Sequence, residues 1–365
     1  MPKINDIIRF LENIAPSSYQ ESYDNSGLIT GDSSAEVTGV LISLDCIESV
    51  VDEAISKNCN LIVAHHPIVF GGLKRLTGKN YVERTVIKAI KNDIAIYAIH
   101  TNLDNVLPGV NNMIAQKIGL SNLNILAPRQ GTLCKLEAFI PQENTDEVLD
   151  AIHNAGAGNV GNYSQCSFRV LGTGTFKPNQ EANPTIGTQN QHEYVEEHKV
   201  EVIFPQHLQG AVLAALKKAH PYEEVAYYIQ HIANTNQAVG SGIIGKLAKP
   251  MTSQEFLAHL KDSMNVSVVK YTPLKDDKIE TVAVCGGAGS FLLKTAKARG
   301  AQAFISADFK YHEFFDAEGK IMIADIGHYE SEVFTKELID GFLNEKFANI
   351  ATYLSEVNTN PVKYF

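Results

Sequence analysis

Between Val40 and about Leu126, short apolar runs alternate with stretches whose apolar residues recur every three or four positions. Val40 to Leu44, Leu61 to Ala64 and Ile94 to Ile99 predict strands, while Ile47 to Lys57 and Val82 to Asn92 predict helices. The same alternation returns after about Gly240. There Phe256 to Met264, Phe291 to Arg299 and Glu332 to Phe347 predict helices, and Thr281 to Cys285, Ala303 to Ser306 and Ile321 to Ile326 predict strands. Strands and helices in alternation predict an α/β domain with a mostly parallel sheet. Its two halves, residues 1–128 and 236–365, come from opposite ends of the chain.

The stretch between them, residues 129–235, has a different texture. Leu133 to Ile140 reads as a strand, Thr145 to Ala155 as a helix, and Ser164 to Leu171 with the turn Gly172-Thr173-Gly174-Thr175-Phe176 as a hairpin. A polar loop over 177–192 leads to Lys199 to Phe204, Leu208 to Ala219 and Glu224 to Ile232, which read as strand, helix and strand. That order, βαββαβ, is the ferredoxin-like arrangement of an α+β insert.

Composition narrows the function classes. The chain has 365 residues, 44% of them hydrophobic and 20% charged, enough for substantial cores in two or three domains. A formal net charge of −10 argues against nucleic acid as a partner. The five cysteines are odd in number and contain no CxxC pair, which excludes a disulfide framework and fits a reducing cytoplasm. Met1 to Pro16 interleaves charges with Ile4, Ile7, Ile8 and Leu11, an amphipathic helix rather than a signal-peptide core. No run approaches the ~20 apolar residues that span a bilayer.

Three of the predicted strands end in side chains suited to metals. Leu61 to Ala64 runs into His65-His66-Pro67, Ile94 to Ile99 into His100-Thr101-Asn102-Leu103-Asp104, and Ile321 to Ile326 into Gly327-His328-Tyr329-Glu330-Ser331-Glu332. Ligands of open α/β sheets bind beyond the carboxyl ends of the strands, where distant segments converge. The candidate metal ligands are His65, His66, Asp104, His328 and Glu332. Imidazoles and carboxylates without a thiolate suit zinc first, with iron, manganese or cobalt as alternatives. His328 and Glu332, four apart, share one face of a helix. His65 and His66 alternate faces on a strand, and five ligands exceed one tetrahedral site, so two divalent ions per chain are expected.

Other residues are candidates for supporting roles. His100 and His312 are candidate catalytic proton carriers, and Asp308 and Tyr311 follow the strand Ala303 to Ser306. The turn Gly286-Gly287-Ala288-Gly289-Ser290 reads as a tight strand-to-helix connection that could hold an anion. Lys74, Arg75 and Lys79 read as a solvated loop, and His220 as a turn residue before Pro221.

These motifs closely resemble the Nif-three-like family, whose members are often labelled GTP cyclohydrolase 1 type 2 homologs. The likeness rests on Val63-Ala64-His65-His66-Pro67-Ile68, on His100 to Asp104, and on Gly327 to Glu332, all in order. It implies a dinuclear metal centre on His65, His66, Asp104, His328 and Glu332, and a homohexameric toroid with the sites facing inward. The middle segment is similar to the PII-like and CutA-like trimeric modules of longer bacterial members, through Gly161-Asn162-Tyr163-Ser164, Gly172 to Phe176 and His220-Pro221-Tyr222-Glu223-Glu224. Such an insert would trimerise and cap the toroid. Two functions are carried forward: a metal-dependent hydrolase acting with an activated water on a small nucleotide-like or heterocyclic substrate, GTP among them, and a non-catalytic metal-binding scaffold or regulator of metal sensing or delivery.

Overall fold

The structure is a computed structural model and describes residues 1–276 and 278–365. It divides into two compact units, Met1–Pro128 with Ala238–Phe365, and Arg129–Gln237. The first unit opens with α1 (Ile4–Ile14), β1 (Gly27–Thr30), β2 (Val40–Ser43), α2 (Glu48–Ser56), β3 (Leu61–Ala64) and α3 (Tyr81–Lys91). It continues with β4 (Ala95–Ala98), α4 (Thr101–Asp104), α5 (Val110–Lys117) and β5 (Ser121–Pro128). The second unit runs β6 (Leu133–Pro141), α6 (Thr145–Asn154), β7 (Phe168–Phe176), β8 (Glu193–Pro205), α7 (Gln209–Ala219) and β9 (Tyr227–Ile232). The chain then re-enters the first unit with β10 (Gly240–Met251), α8 (Ser253–Met264), β11 (Lys270–Tyr271), β12 (Ile279–Ala288), α9 (Leu293–Ala298) and β13 (Ala303–Ala307). It closes with β14 (Met322–Asp325), α10 (His328–Glu332), α11 (Thr335–Lys346) and β15 (Thr352–Leu354).

The first unit holds two mixed sheets, not the single, mostly parallel one expected. One has the order β1-β4-β3-β2-β15, the other β11-β14-β13-β12-β10-β5. Each keeps a parallel centre, β15-β2-β3-β4 and β12-β13-β14, and is extended by antiparallel strands. The added strands lack a strand-like pattern. β5 begins with polar, largely exposed residues, and glycines break the alternation of β10 because its backbone lies close to β5: a Cβ on Gly245 would meet Leu123 at 2.6 Å.

Alternate residues of the central strands explain the layering. Val40, Leu61, Val63, Ala95 and Tyr97 of one sheet share a core with Val282, Val284, Ala303, Ile305 and Met322 of the other, packed with α1, α5, α8 and α11. The intervening residues face outward: Leu41, Ile62 and Ile96 onto α2 and α3, and Ala283, Phe304 and Ile323 onto α9. Both faces of each sheet are therefore buried, and this is why the parallel strands read as unbroken apolar runs.

In the second unit the four strands lie antiparallel in the order β7-β8-β6-β9, with α6 and α7 packed on one face over Leu136, Ala138, Val200 and Val202. Gly172 to Phe176, expected as a turn, is instead the end of β7; the chain turns later, in 177–192. Gly174 belongs in this strand because a Cβ there would lie 2.0 Å from the Glu197 carboxylate. No helix of the described residues is long and apolar enough to cross a membrane, and all five cysteines are free.

Candidate metal centre

The carboxyl ends of the parallel strands of both sheets deliver the site. β2 runs on to Asp45, β3 to His65 and His66, β4 to His100 and α4 with Asp104, β13 to Asp308, and β14 to α10 with His328 and Glu332. Because β3 ends at Ala64, the two adjacent histidines leave the pleat and no longer alternate faces. Their rings lie 4.9 Å apart, both turned toward Glu332.

Glu332 is the hub, and is almost fully buried. One of its oxygens, Oε2, lies 3.0 Å from His66 Nε2, 3.2 Å from His328 Nε2 and 4.0 Å from His65 Nε2. Asp104 Oδ1 stands 3.6 Å from His65 Nε2. Two groups of donor atoms result, His65 with Asp104 and Glu332, and His66 with His328 and Glu332, each spanning less than 4.8 Å. They share Glu332. A further group joins His65, His66 and His100. The structure thus brings together all five of the expected ligands.

Each imidazole is oriented from behind. His65 Nδ1 donates to Ile99 O at 2.8 Å, His66 Nδ1 is held by Asp45 at 2.8 Å, and His328 Nδ1 by Asp308 at 2.6 Å. A carbonyl or carboxylate oxygen only accepts, so Nδ1 carries the proton and Nε2 is the atom presented to the centre. His100 Nδ1 is likewise held at 2.7 Å by Asp24, a buried carboxylate that also accepts from Thr101 and Ser26. Asp24 and Asp45 were not among the sequence candidates. Asp45 follows the apolar run Val40 to Leu44 and could have been found by the same strand-end rule; Asp24 lies in an irregular loop that carries no such signal.

The electrostatics are set by burial and by the close pairing of carboxylates with imidazoles. Burial and the neighbouring Glu332 push Asp104 well above the usual carboxylate range. Burial also opposes ionisation of Glu332, but hydrogen bonds from His328 and His66 outweigh it and hold Glu332 ionised. Against burial, bonds to Asp45 and Glu332 raise His66 to about 10, and bonds to Glu332 and Asp308 raise His328 to about 9. His65, fully buried, is driven down to about 3. Two buried atoms, His65 Nε2 and Asp104 Oδ1, have no hydrogen-bond partner. Cys285 borders the cluster, its thiol kept protonated by burial and by the charges of Asp104 and Glu332.

The remaining candidates fall elsewhere. His312 lies exposed on the turn Tyr311–Ala317 with its ring against Tyr311 and Phe315, and it is Asp308, not His312, that reaches the centre. Lys74, Arg75 and Lys79 are exposed. Gly286 and Gly287 continue β12, and the strand-to-helix connection is made at Gly289. Gly287, at φ +60°, lets the backbone pass Glu332: a Cβ there would sit 2.5 Å from Oε1. His220 uses both ring nitrogens on the backbone of Phe139 and Tyr222, leaving none for a metal. Above the cluster opens a cavity of about 1050 Å³ walled by Tyr23, Phe70, Tyr329 and Tyr364.

Comparison with known proteins places this geometry in context. The family model Duf34/NIF3 (NGG1p interacting factor 3) matches residues 2–361. The chain is 37% identical over 363 residues to the "GTP cyclohydrolase 1 type 2 homolog" of Bacillus subtilis, covering 98% of this chain and 97% of that protein. It is 38% identical over 364 residues to the protein of the same name from Halalkalibacterium halodurans, covering 98% of each. Among solved structures, a Bacillus cereus protein related to NIF3 superposes with a TM-score of 0.88 at 38% identity, over 100% of this chain and 99% of that one.

Proposed function

The chain belongs to the Duf34/NIF3 family, and from that premise we propose that it is a dinuclear metal-dependent hydrolase of a small nucleotide-like or heterocyclic substrate. The observation that carries this reading is the pair of buried, unpartnered atoms, His65 Nε2 and Asp104 Oδ1, beside a carboxylate shared by two donor triplets. Unpaired buried polar atoms are costly, and a cation relieves the cost. Ligands about 2.0–2.2 Å from a tetrahedral zinc lie about 3.3–3.6 Å apart; the His65–Asp104 separation of 3.6 Å falls in that range, and those from His66 and His328 to Glu332, at 3.0 and 3.2 Å, are a few tenths of an ångström short of it.

In this reading His65, Asp104 and Glu332 hold one ion and His66, His328 and Glu332 the other, with zinc the first candidate. Bound there, a divalent pair would supply acidification of a water and polarisation of the bond under attack. The protein's own contribution is orientation and proton handling. Asp45, Ile99 O and Asp308 fix the three imidazoles, and His100, steadied by Asp24, is the proton carrier. The names of the relatives make opening of the GTP imidazole ring the first reaction to assay, and the aromatic walls of the cavity suit a planar ring system.

We read the second unit as a ferredoxin-like, PII-like insert, and the family likeness extends the proposal to a homohexamer in which that unit trimerises. The function is tested by assaying metal-loaded protein against nucleotides and pterin precursors. Turnover abolished in His66→Ala and Glu332→Ala, and lowered about 10²–10⁴-fold in His100→Gln, supports it. No turnover of any substrate by protein carrying both ions would replace it with the scaffold reading.

A further inference from the structure

The second unit contains a cavity of its own, about 680 Å³, within the range of small-molecule sites. It lies on the sheet face opposite α6 and α7. Its floor is Glu197, which pairs with Gly172 on β7 and Pro141 on β6. Neither neighbour fills the space above it, and the carboxylate lies across Gly174, where a Cβ would be 2.0 Å away. The glycines of Gly172-Thr173-Gly174 thereby make the hollow.

Its roof is the 177–192 connection. Asn183 N donates to Glu223 at 2.8 Å and Thr185 Oγ1 to Pro221 O at 2.8 Å, tying that loop to the 220–224 turn. The turn is in turn pinned to β6 by His220, whose Nε2 donates to Phe139 O at 2.9 Å while Nδ1 accepts from Tyr222 N at 3.1 Å. This fixes Tyr222 over the floor, with its buried hydroxyl turned toward the Glu197 carboxylate and, among the described residues, toward no other protein group; burial and that carboxylate keep the phenol protonated. Aromatic faces complete the walls: Phe176 against Tyr222 and Phe139 against Tyr228.

Glu197 is only 7% exposed, yet among the described residues it forms no ion pair. Lys199, next on the same face of β8, is taken by Glu137 at 3.0 Å and Glu201 at 2.9 Å. Lys177 is exposed. A buried carboxylate with no counter-cation, whose neighbour is the Tyr222 hydroxyl and which has aromatic faces around it, is complementary to a cation carrying N–H donors and an apolar body. Among the described residues Glu197 belongs to no group of three His, Cys, Asp or Glu donors close enough to hold a metal ion.

We propose that this hollow binds a small organic amine as its ammonium ion, with Glu197 as counter-ion, Tyr222 as hydrogen-bond partner and the aromatic rings around the organic body. The inference concerns the second unit alone and stands or falls separately from the metal reading. The test is calorimetric titration of the full-length protein with benzylamine, phenethylamine and agmatine, alongside the neutral isostere benzyl alcohol. Saturable binding of an amine, with the alcohol roughly tenfold or more weaker, is expected. Glu197→Gln should weaken the amine by a similar factor and leave the alcohol unchanged. The comparison of amine with alcohol on unaltered protein needs no variant to fold. Equal binding of amine and alcohol, amine binding that survives Glu197→Gln, or no saturable binding of any amine at millimolar concentration would overturn the proposal.

Discussion

Asp45→Ala separates the two halves of the centre. Asp45 Oδ1 holds His66 Nδ1 at 2.8 Å and touches none of the other four ligands, while His65 is oriented independently by Ile99 O. Removing the carboxylate frees the His66 ring and its tautomer and lowers the basicity of Nε2. Loss of such an outer hydrogen bond costs metal affinity about 10–100-fold, or about 1.4–2.7 kcal/mol. That loss should fall on the ion held by His66, His328 and Glu332, and leave the ion held by His65, Asp104 and Glu332 within about threefold of its original affinity. Asp308→Ala acts on the same ion through His328 and should reproduce the pattern. The assay is competition against a chromophoric chelator, read as two successive dissociation constants. Equal weakening of both ions, or of neither, would refute the division into two triplets that share Glu332.

Further expectations test the frame around the site. Gly109→Ala would place a Cβ 1.7 Å from Leu103 O, a backbone atom of the turn that carries Asp104; it should cost about 1–3 kcal/mol or more and lower metal content, measured by thermal melting and elemental analysis. Phe304→Ala, fully buried and edge-on to Phe309, should destabilise the first unit by about 3–5 kcal/mol in denaturant titration. In the second unit, burial holds His220 below its ordinary value despite its bond to Phe139. The neutral ring is therefore the one that fits: its stabilisation is present above about pH 6.5 and is lost as pH falls through the lower folded value. Hydrogen exchange at the Tyr222 amide, corrected for intrinsic rates, should accelerate between neutral pH and about pH 5, and His220→Phe should remove that dependence.

The central strands were legible in the sequence because sheets buried on both faces leave unbroken apolar runs such as Leu61 to Ala64 and Met322 to Ala324. The same buried runs hid the existence of two sheets. Which strand pairs with which depends on β5 and β10, where exposed polar residues and close-packed glycines erase the alternation. The five ligand candidates were legible because strand ends are where such side chains gather. The carboxylates behind them were legible only in part: Asp308 was flagged, but Asp24 acts from a loop that reaches His100 across 76 residues. His312 was misleading for a related reason. It neighbours a strand end, yet its turn carries it to the surface and leaves Asp308 at the site.

Metal content tests the central claim most directly. Protein purified without added metal should carry two divalent ions per chain by elemental analysis. Glu332→Gln, which removes the charge common to both triplets, should lose both ions while the chain stays folded by circular dichroism. Ions near zero in the unaltered protein, even after incubation with zinc, iron, manganese or cobalt, would contradict the account.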